Sequence, residues 1–261
     1  MTDEAAREKV RLERRVKRLE ATLEQSERLR DGNAVLLNRL MDDLDAERRR
    51  SHELLLNVLP ERIVARLDAG ETHIADRHDD VVVLMTDLVA FTSSAAQLSA
   101  SDLVAELNEL FTRFDDACAA RGVEKIKTIG DAYMAVAGLD RAPTADARES
   151  VVAGAELALD MLDALGDAQS RWAMRIGIHA GPVVAGIIGT RKFAYDVWGD
   201  TVNVASRLET TSLPGRIHVS EPVAAALEGR FALEPRGVVD LKGKGEMPTW
   251  FVTGRIGQPR P

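Results

Sequence analysis

The stretch "VEKIKTIGDAYMAVAG", residues 123–138, mixes apolar and polar side chains in a strand-like run, turns on Gly130-Asp131 and continues as an apolar run. That pattern predicts a β-hairpin. It carries two lysines, Lys125 and Lys127, whose spacing puts them on one face of a regular strand, and a carboxylate, Asp131, at the tip. A hairpin with solvated charges and a hairpin whose charges meet a ligand both fit.

Upstream, "DVVVLMTD" (80–87) reads as a β-branched strand ending in a carboxylate. "SASDLVAELNELFTRFDDACAARG" (99–122) reads as an amphipathic helix capped by Ser99 or Ser101 and stopped at Gly122. Downstream, "TADARESVVAGAELALDMLDALG" (144–166) predicts a second long helix, and "WAMRIGIHAGPVVAGII" (172–188) a second hairpin turning at Gly181-Pro182. The order β-α-β-β-α-β is the ferredoxin-like split βαβ arrangement of the α+β class. "GDTVNVASRLETT" (199–211) adds a helix, and short strands follow.

Residues 4–57 predict one helix. Leu12, Val16, Leu19 and Leu23 are spaced 4-3-4, and the register resumes at Leu37, Leu40 and Leu44 after a polar stretch at Ser26, Arg30 and Asn33. A narrow apolar seam between Arg/Glu flanks is the signature of a parallel coiled coil, interrupted near Asp31-Gly32-Asn33; a solvated helix packed on its own domain is the alternative. Pro60 breaks the pattern, and a short helix ending at Gly70 follows. The expected division is a coiled-coil signalling helix at 1–57, a helical connector at 58–76, the main domain at 77–256 and a tail at 257–261.

Residues 1–60 carry 13 Lys+Arg and 13 Asp+Glu, so the whole net charge of −8 falls on residues 61–261. An acidic body argues against a nonspecific nucleic-acid binder, but not against a nucleotide substrate, because metal ions reconcile carboxylates with phosphates. The single cysteine, Cys118, excludes an internal disulfide and reads as a packing residue in a helix. No apolar run approaches the ~18–20 residues that cross a bilayer, and the N-terminus is too charged for a signal peptide. A soluble, cytoplasmic chain is expected, whole or part of something longer.

Asp87 at a strand end and Asp131 at a hairpin tip fall on neighbouring strands at one end of a split βαβ sheet. Such a pair can hold Mg²⁺ and leave room for phosphate oxygens and water; turn and cap roles compete with that reading. Asn203 and Arg207, at i and i+4, share one helical face, which suits a phosphate or simple solvation. "LKGKG" places Lys242 and Lys244 among glycines, where surface loops are common. His179, alternating with Ile176 and Ile178, reads as a structural histidine rather than a general base.

Taken together, "MTDLVAFT" (85–92), "KIKTIGDAYMAVAG" (125–138), "MRIGIHAGPVVAGIIG" (174–189), "YDVWGDTVNVASRLE" (195–209) and "DLKGKGEM" (240–247) closely resemble the class III nucleotidyl cyclases, in order and spacing, over about residues 77–254. The resemblance is to the adenylyl cyclase type. It implies that Asp87 and Asp131 bind two ions of Mg²⁺ or Mn²⁺, and that Lys127 and Asp196 read adenine where guanylyl cyclases usually carry Glu and Cys. It implies further that Asn203 orients the ribose, that Arg207 serves the transition state, and that Arg175 and Lys242 contact the terminal phosphates. Family members work as dimers with composite sites, which implies a homodimer acting on ATP, with Asp131 and Lys127 of one chain serving opposite sites and Lys125 structural or solvated. The helix before Pro60 is similar to the coil and transducing element that precede many such domains. A guanylyl cyclase and a silent dimeric signalling module are the alternatives. One departure is Ala90, where the family's first motif usually has glycine: harmless at negative φ, it costs on the order of 1 kcal/mol at positive φ and weakens triphosphate binding.

Overall fold

Fifty-four residues of Arg, Glu, Ala and Leu-rich sequence form one unbroken helix, α1 (Asp3–Leu56). The computed structural model describes residues 3–141, 146–167, 171–189 and 193–259, and its contacts divide the chain into two units, Met1–Glu71 and Thr72–Pro261. The interruption at Asp31-Gly32-Asn33 is confined to the side-chain seam. An interior glycine costs only ~1 kcal/mol relative to alanine, and strong helix formers on both sides carry the backbone through. The seam residues Leu12, Val16, Leu19, Leu23, Leu37, Leu40 and Leu44 are each more than half exposed. A second helix, α2 (Glu61–Asp68), starts directly after Pro60. Its end is tied to α1 by His52 Nδ1, 3.0 Å from Asp68 Oδ2, and Gly70 turns left-handed beyond it.

The second unit opens with β1 (Ala75–Val89), longer at both ends than the expected 80–87. A short helix, α3 (Phe91–Ala95), leads into α4 (Ala100–Arg121), where Ser99 accepts from the Asp102 N–H and Gly122 closes the helix left-handed at φ 61°. The hairpin follows as β2 (Val123–Ile129) and β3 (Ala132–Ala137), then α5 (Ala147–Asp167) and β4 (Ala173–Ile188). The expected start of α5 at Thr144 and the last two residues of the expected tail lie outside the described residues. In the sheet these four strands lie in the order β2-β3-β1-β4, which is the split βαβ core. The rest continues it: β5 (Ala194–Trp198), α6 (Asp200–Thr211), β6 (Ile217–Ser220), α7 (Glu221–Leu227), β7 (Phe231–Leu241) and β8 (Gly245–Arg255). Beyond β4 the order is β6-β8-β7, and Gln258–Pro259 of the expected tail form β9 against β8.

One expectation fails at Gly181-Pro182. Instead of turning there, β4 runs straight through and pairs with β1 from Val89↔Ala173 to Ala75↔Gly186. The register shifts between His78 and Val81, so a bulge in β1 stands opposite Pro182, and the missing proline N–H breaks no ladder bond. The true partner of β4 in a hairpin is β5, paired Ile188↔Ala194 to Val184↔Trp198.

Strand alternation sorts the two faces. Leu84 and Leu88 of β1, Tyr133 and Ala135 of β3, and Ile176 and Ile178 of β4 share one core with Phe114 of α4, Leu157 and Met161 of α5, and Val223 and Leu227 of α7. Residues between them point to the other face, where α6 lies against β4. A Cβ on Gly177 would stand 2.1 Å from the Glu209 amide nitrogen and 2.4 Å from the Ala205 oxygen, so only glycine lets that helix approach so closely. Among the described residues no helix is long and apolar enough to cross a membrane.

Candidate active site

Because Leu84 and Leu88 face the core, Asp87 points to the α6 face near the end of β1. Arg175 stands directly opposite it on β4. Its Nη2 donates to Asp87 Oδ2 at 2.6 Å and lies 3.3 Å from Glu209 Oε1 on α6, while Nη1 reaches the Thr210 carbonyl at 3.3 Å. Asp131 comes to the same place from the hairpin turn. Burial, and then the like charge of Asp87 beside it, raise its carboxyl above the usual range. Glu209 is raised further, to about 7, first by its own burial and then by Asp87, against the pull of Arg175.

Asp87 and Glu209 thus share one arginine, with Asp131 beside Asp87. Asp87 and Asp131 supply hard oxygen donors whose mutual repulsion a divalent cation relieves. Among the described residues no group of three His, Cys, Asp or Glu forms a ready metal cage. Two carboxylates completed by phosphate oxygens and water is the arrangement Mg²⁺ prefers, so these residues fit such an ion.

The hairpin separates its two lysines, against the expectation that they share a face. Lys125 pairs with Ala135 and Lys127 with Met134, so Ile126 is an extra residue in a β-bulge. Lys125 therefore takes the core side, where its Nζ lies 2.7 Å from Asp115 of α4 and 5.2 Å from the centre of the Tyr133 ring. Tyr133 donates to Asp115 at 2.6 Å and sits 3.4 Å from Cys118 Sγ, closing a network buried at Tyr133 and Cys118 and open to solvent at Asp115 and Lys125. Burial pushes the Cys118 thiol up to about 11, in keeping with a packing role.

Lys127 faces the other way, and its Nζ donates to Asp196 Oδ2 at 2.5 Å. The other carboxylate oxygen of Asp196 accepts from the Val197 N–H at 2.8 Å, which fixes its plane. Strands β2 and β5 are not neighbours in the sheet. The ribbon formed by the far half of β4 with β5 must therefore cross back over the sheet to bring Asp196 to Lys127. The bulge opposite Pro182 lies just before Val184, where the pairing of β4 with β5 begins.

On α6, Asn203 is exposed and Arg207 half-buried, on the face away from Val204, Leu208 and the core. Lys244, in the turn between β7 and β8, is held by Asp200 at the start of α6, whereas Lys242 is exposed. His179 is bound to Ser220 at 2.7 Å and lowered by burial, as a structural histidine. Ala90 adopts φ 56°, the only non-glycine residue in the left-handed region among those described. The residue the sequence reading missed is Glu209. Its signal was there: with Thr201 and Ala205 it falls at i, i+4, i+8 on the buried side of α6, a place where an acid needs a reason.

Comparison with known proteins identifies the family. The family described as the adenylate and guanylate cyclase catalytic domain matches residues 74–254. An adenylate cyclase of Mycobacterium tuberculosis is 43% identical over 217 residues, 81% of this chain and 48% of that protein. Guanylate cyclase D of Mus musculus is 39% identical over 236 residues, 87% of this chain and 21% of that protein. The chain thus matches less than half the length of these curated relatives. The crystal structure of the guanylate cyclase domain of RhGC from Catenaria anguillulae in complex with GTP superposes with a TM-score of 0.64 at 35% identity, covering 69% of this chain and 99% of that one.

Proposed function

The chain belongs to the adenylate and guanylate cyclase catalytic-domain family, and on that footing we propose that it is an adenylyl cyclase, converting ATP to 3′,5′-cyclic AMP and pyrophosphate. The Lys127–Asp196 pair carries the choice of base. Adenine offers an amino donor and a ring-nitrogen acceptor on its pairing edge. Asp196 accepts from the first and Lys127 donates to the second. Guanine presents a carbonyl oxygen and an N–H there, and each mismatched buried group costs ~1–3 kcal/mol.

In the reaction the 3′-hydroxyl oxygen attacks the α-phosphorus in line. The new O3′–P bond forms as the bond to pyrophosphate breaks, and the hydroxyl proton leaves to solvent. Two Mg²⁺ or Mn²⁺ ions held by Asp87 and Asp131 would lower the pKa of that hydroxyl and neutralise the polyphosphate. Asn203 orients the ribose, Arg207 stabilises charge on the phosphorane-like transition state, and Arg175 and Lys242 hold the terminal phosphates. Catalysis is then mainly positioning and electrostatics. The working form is a homodimer with composite sites, joined in part by a parallel coiled coil of α1, whose exposed leucine seam supports it.

The second reading is a guanylyl cyclase, favoured by the GTP-bound relative at 35% identity. One experiment separates them: turnover of ATP and GTP side by side with Mn²⁺, over a series of protein dilutions. Preferential ATP turnover whose rate per chain falls on dilution is expected. Preferential GTP turnover would remove the base assignment, and a rate per chain indifferent to dilution would remove the shared site.

A further inference from the structure

Among the described residues Glu209 is the one carboxylate in the fully buried set, 8% exposed. It has no part in the reaction as drawn above. Its Oε1 is buried and lacks a hydrogen bond, with Arg175 Nη2 at 3.3 Å as its counter-charge, and its Oε2 accepts from Thr210 Oγ1 at 3.1 Å. Arg175 mirrors it. Nη2 binds Asp87, Nη1 reaches the Thr210 carbonyl, and Nε is buried without a hydrogen bond. The guanidinium therefore bridges a strand carboxylate and a helix carboxylate, and Gly177, two residues along β4, sets how near that helix comes.

Burying an acid that makes so few hydrogen bonds is costly, and an apolar residue at this place on α6 would pack without that cost. Asp87 alone would hold Arg175 at one point, leaving the guanidinium free to swing about it. A second acid on the same nitrogen, at 3.3 Å against 2.6 Å, fixes its orientation. We propose that Glu209 is a positioning residue for the cyclase reaction: as the second acid on Nη2 it fixes the orientation of the Arg175 guanidinium beside Asp87 and so presents it to the terminal phosphates of the bound nucleotide. This rests on the reading of Arg175 as a phosphate-contacting residue.

The test is a double-mutant cycle of Glu209→Gln and Arg175→Ala, read by calorimetric binding of non-cleavable ATP and GTP analogues with Mn²⁺ and of AMP as a control. Glu209→Gln keeps the shape and the hydrogen bond from Thr210 but removes the charge. Triphosphate affinity is expected to fall about tenfold, one ion pair's worth, with AMP binding unchanged. In turnover the same loss appears in KM, with kcat changed less than threefold. In the Arg175→Ala background Glu209→Gln should add nothing, and Glu209→Asp should restore part of the affinity, which keeps the idea testable if the Gln variant folds poorly. An equal loss in the Arg175→Ala background, or a lowered Tm with triphosphate affinity intact, would overturn the proposal. If the wild-type protein binds the GTP analogue and not the ATP one, the base assignment fails while this cycle still runs on GTP. Binding of neither overturns both.

Discussion

Lys125 and Lys127 are two residues apart and live in different chemistries. Lys125 lies on the α4 face of the hairpin, at the exposed end of a network with Asp115, Tyr133 and Cys118 that closes on itself. Lys127 lies on the open face and, among the described residues, pairs with Asp196, from a strand 69 residues further along the chain. The closed face satisfies itself within helix and hairpin. The open face joins two strands that are not neighbours in the sheet. That difference separates a lysine bound within helix and hairpin from one that reaches a distant strand, and it comes from one extra residue in a strand.

The largest expected effect breaks the open face. Lys127→Glu combined with Asp196→Cys should lower ATP turnover at least ~100-fold, about 3 kcal/mol of lost discrimination, with Tm little changed. Unchanged ATP turnover would show that the pair does not read the base. Lys125→Met should do the reverse, costing about 1 kcal/mol of stability in denaturant unfolding and leaving turnover per folded molecule intact.

The next effect sharpens the closed face by pH. The Cys118 thiol is raised from 9.0 to about 11 in the fold, chiefly by burial. Below pH 9 both folded and unfolded chains hold that proton, so its stabilisation is complete. Between pH 9 and 11 only the folded chain keeps it, and stability drains by about 2–3 kcal/mol. Cys118→Ala should flatten that alkaline limb in thermal melts, and a limb of unaltered slope would count against the buried network.

The smallest effect tests the end of β1 beside Asp87. Ala90 holds φ 56°, a conformation that costs a side chain on the order of 1 kcal/mol. Ala90→Gly should raise stability by a few tenths to 1 kcal/mol, the released strain being offset in part by glycine's entropy. It should also tighten triphosphate binding. A loss of stability would mean that the alanine is at ease there.

Much of this was legible in the residues. The strand–helix–hairpin–helix–strand order follows from alternation, caps and a glycine turn, and Asp87 with Asp131 follows from that order. What alternation conceals is a bulge. One extra residue leaves the apolar pattern readable while reversing every face beyond it. That is why Lys125 and Lys127 were expected together, and why Gly181-Pro182 looked like a turn when it is the partner of a bulge. Glu209 was hidden for another reason: its significance lies in Arg175 and Asp87, which lie 34 and 122 residues away along the chain.

The bulge at Ile126 has a consequence for how such chains can vary. What the two lysines require is opposite parity on the strand, and spacing is only one way to obtain it. A strand with Ile126 removed, its lysines adjacent and its pairing regular, would present the same two faces. Length at this point can therefore change by one residue while the two faces hold, and a count of positions between the lysines is a poor guide to which of them faces Asp196.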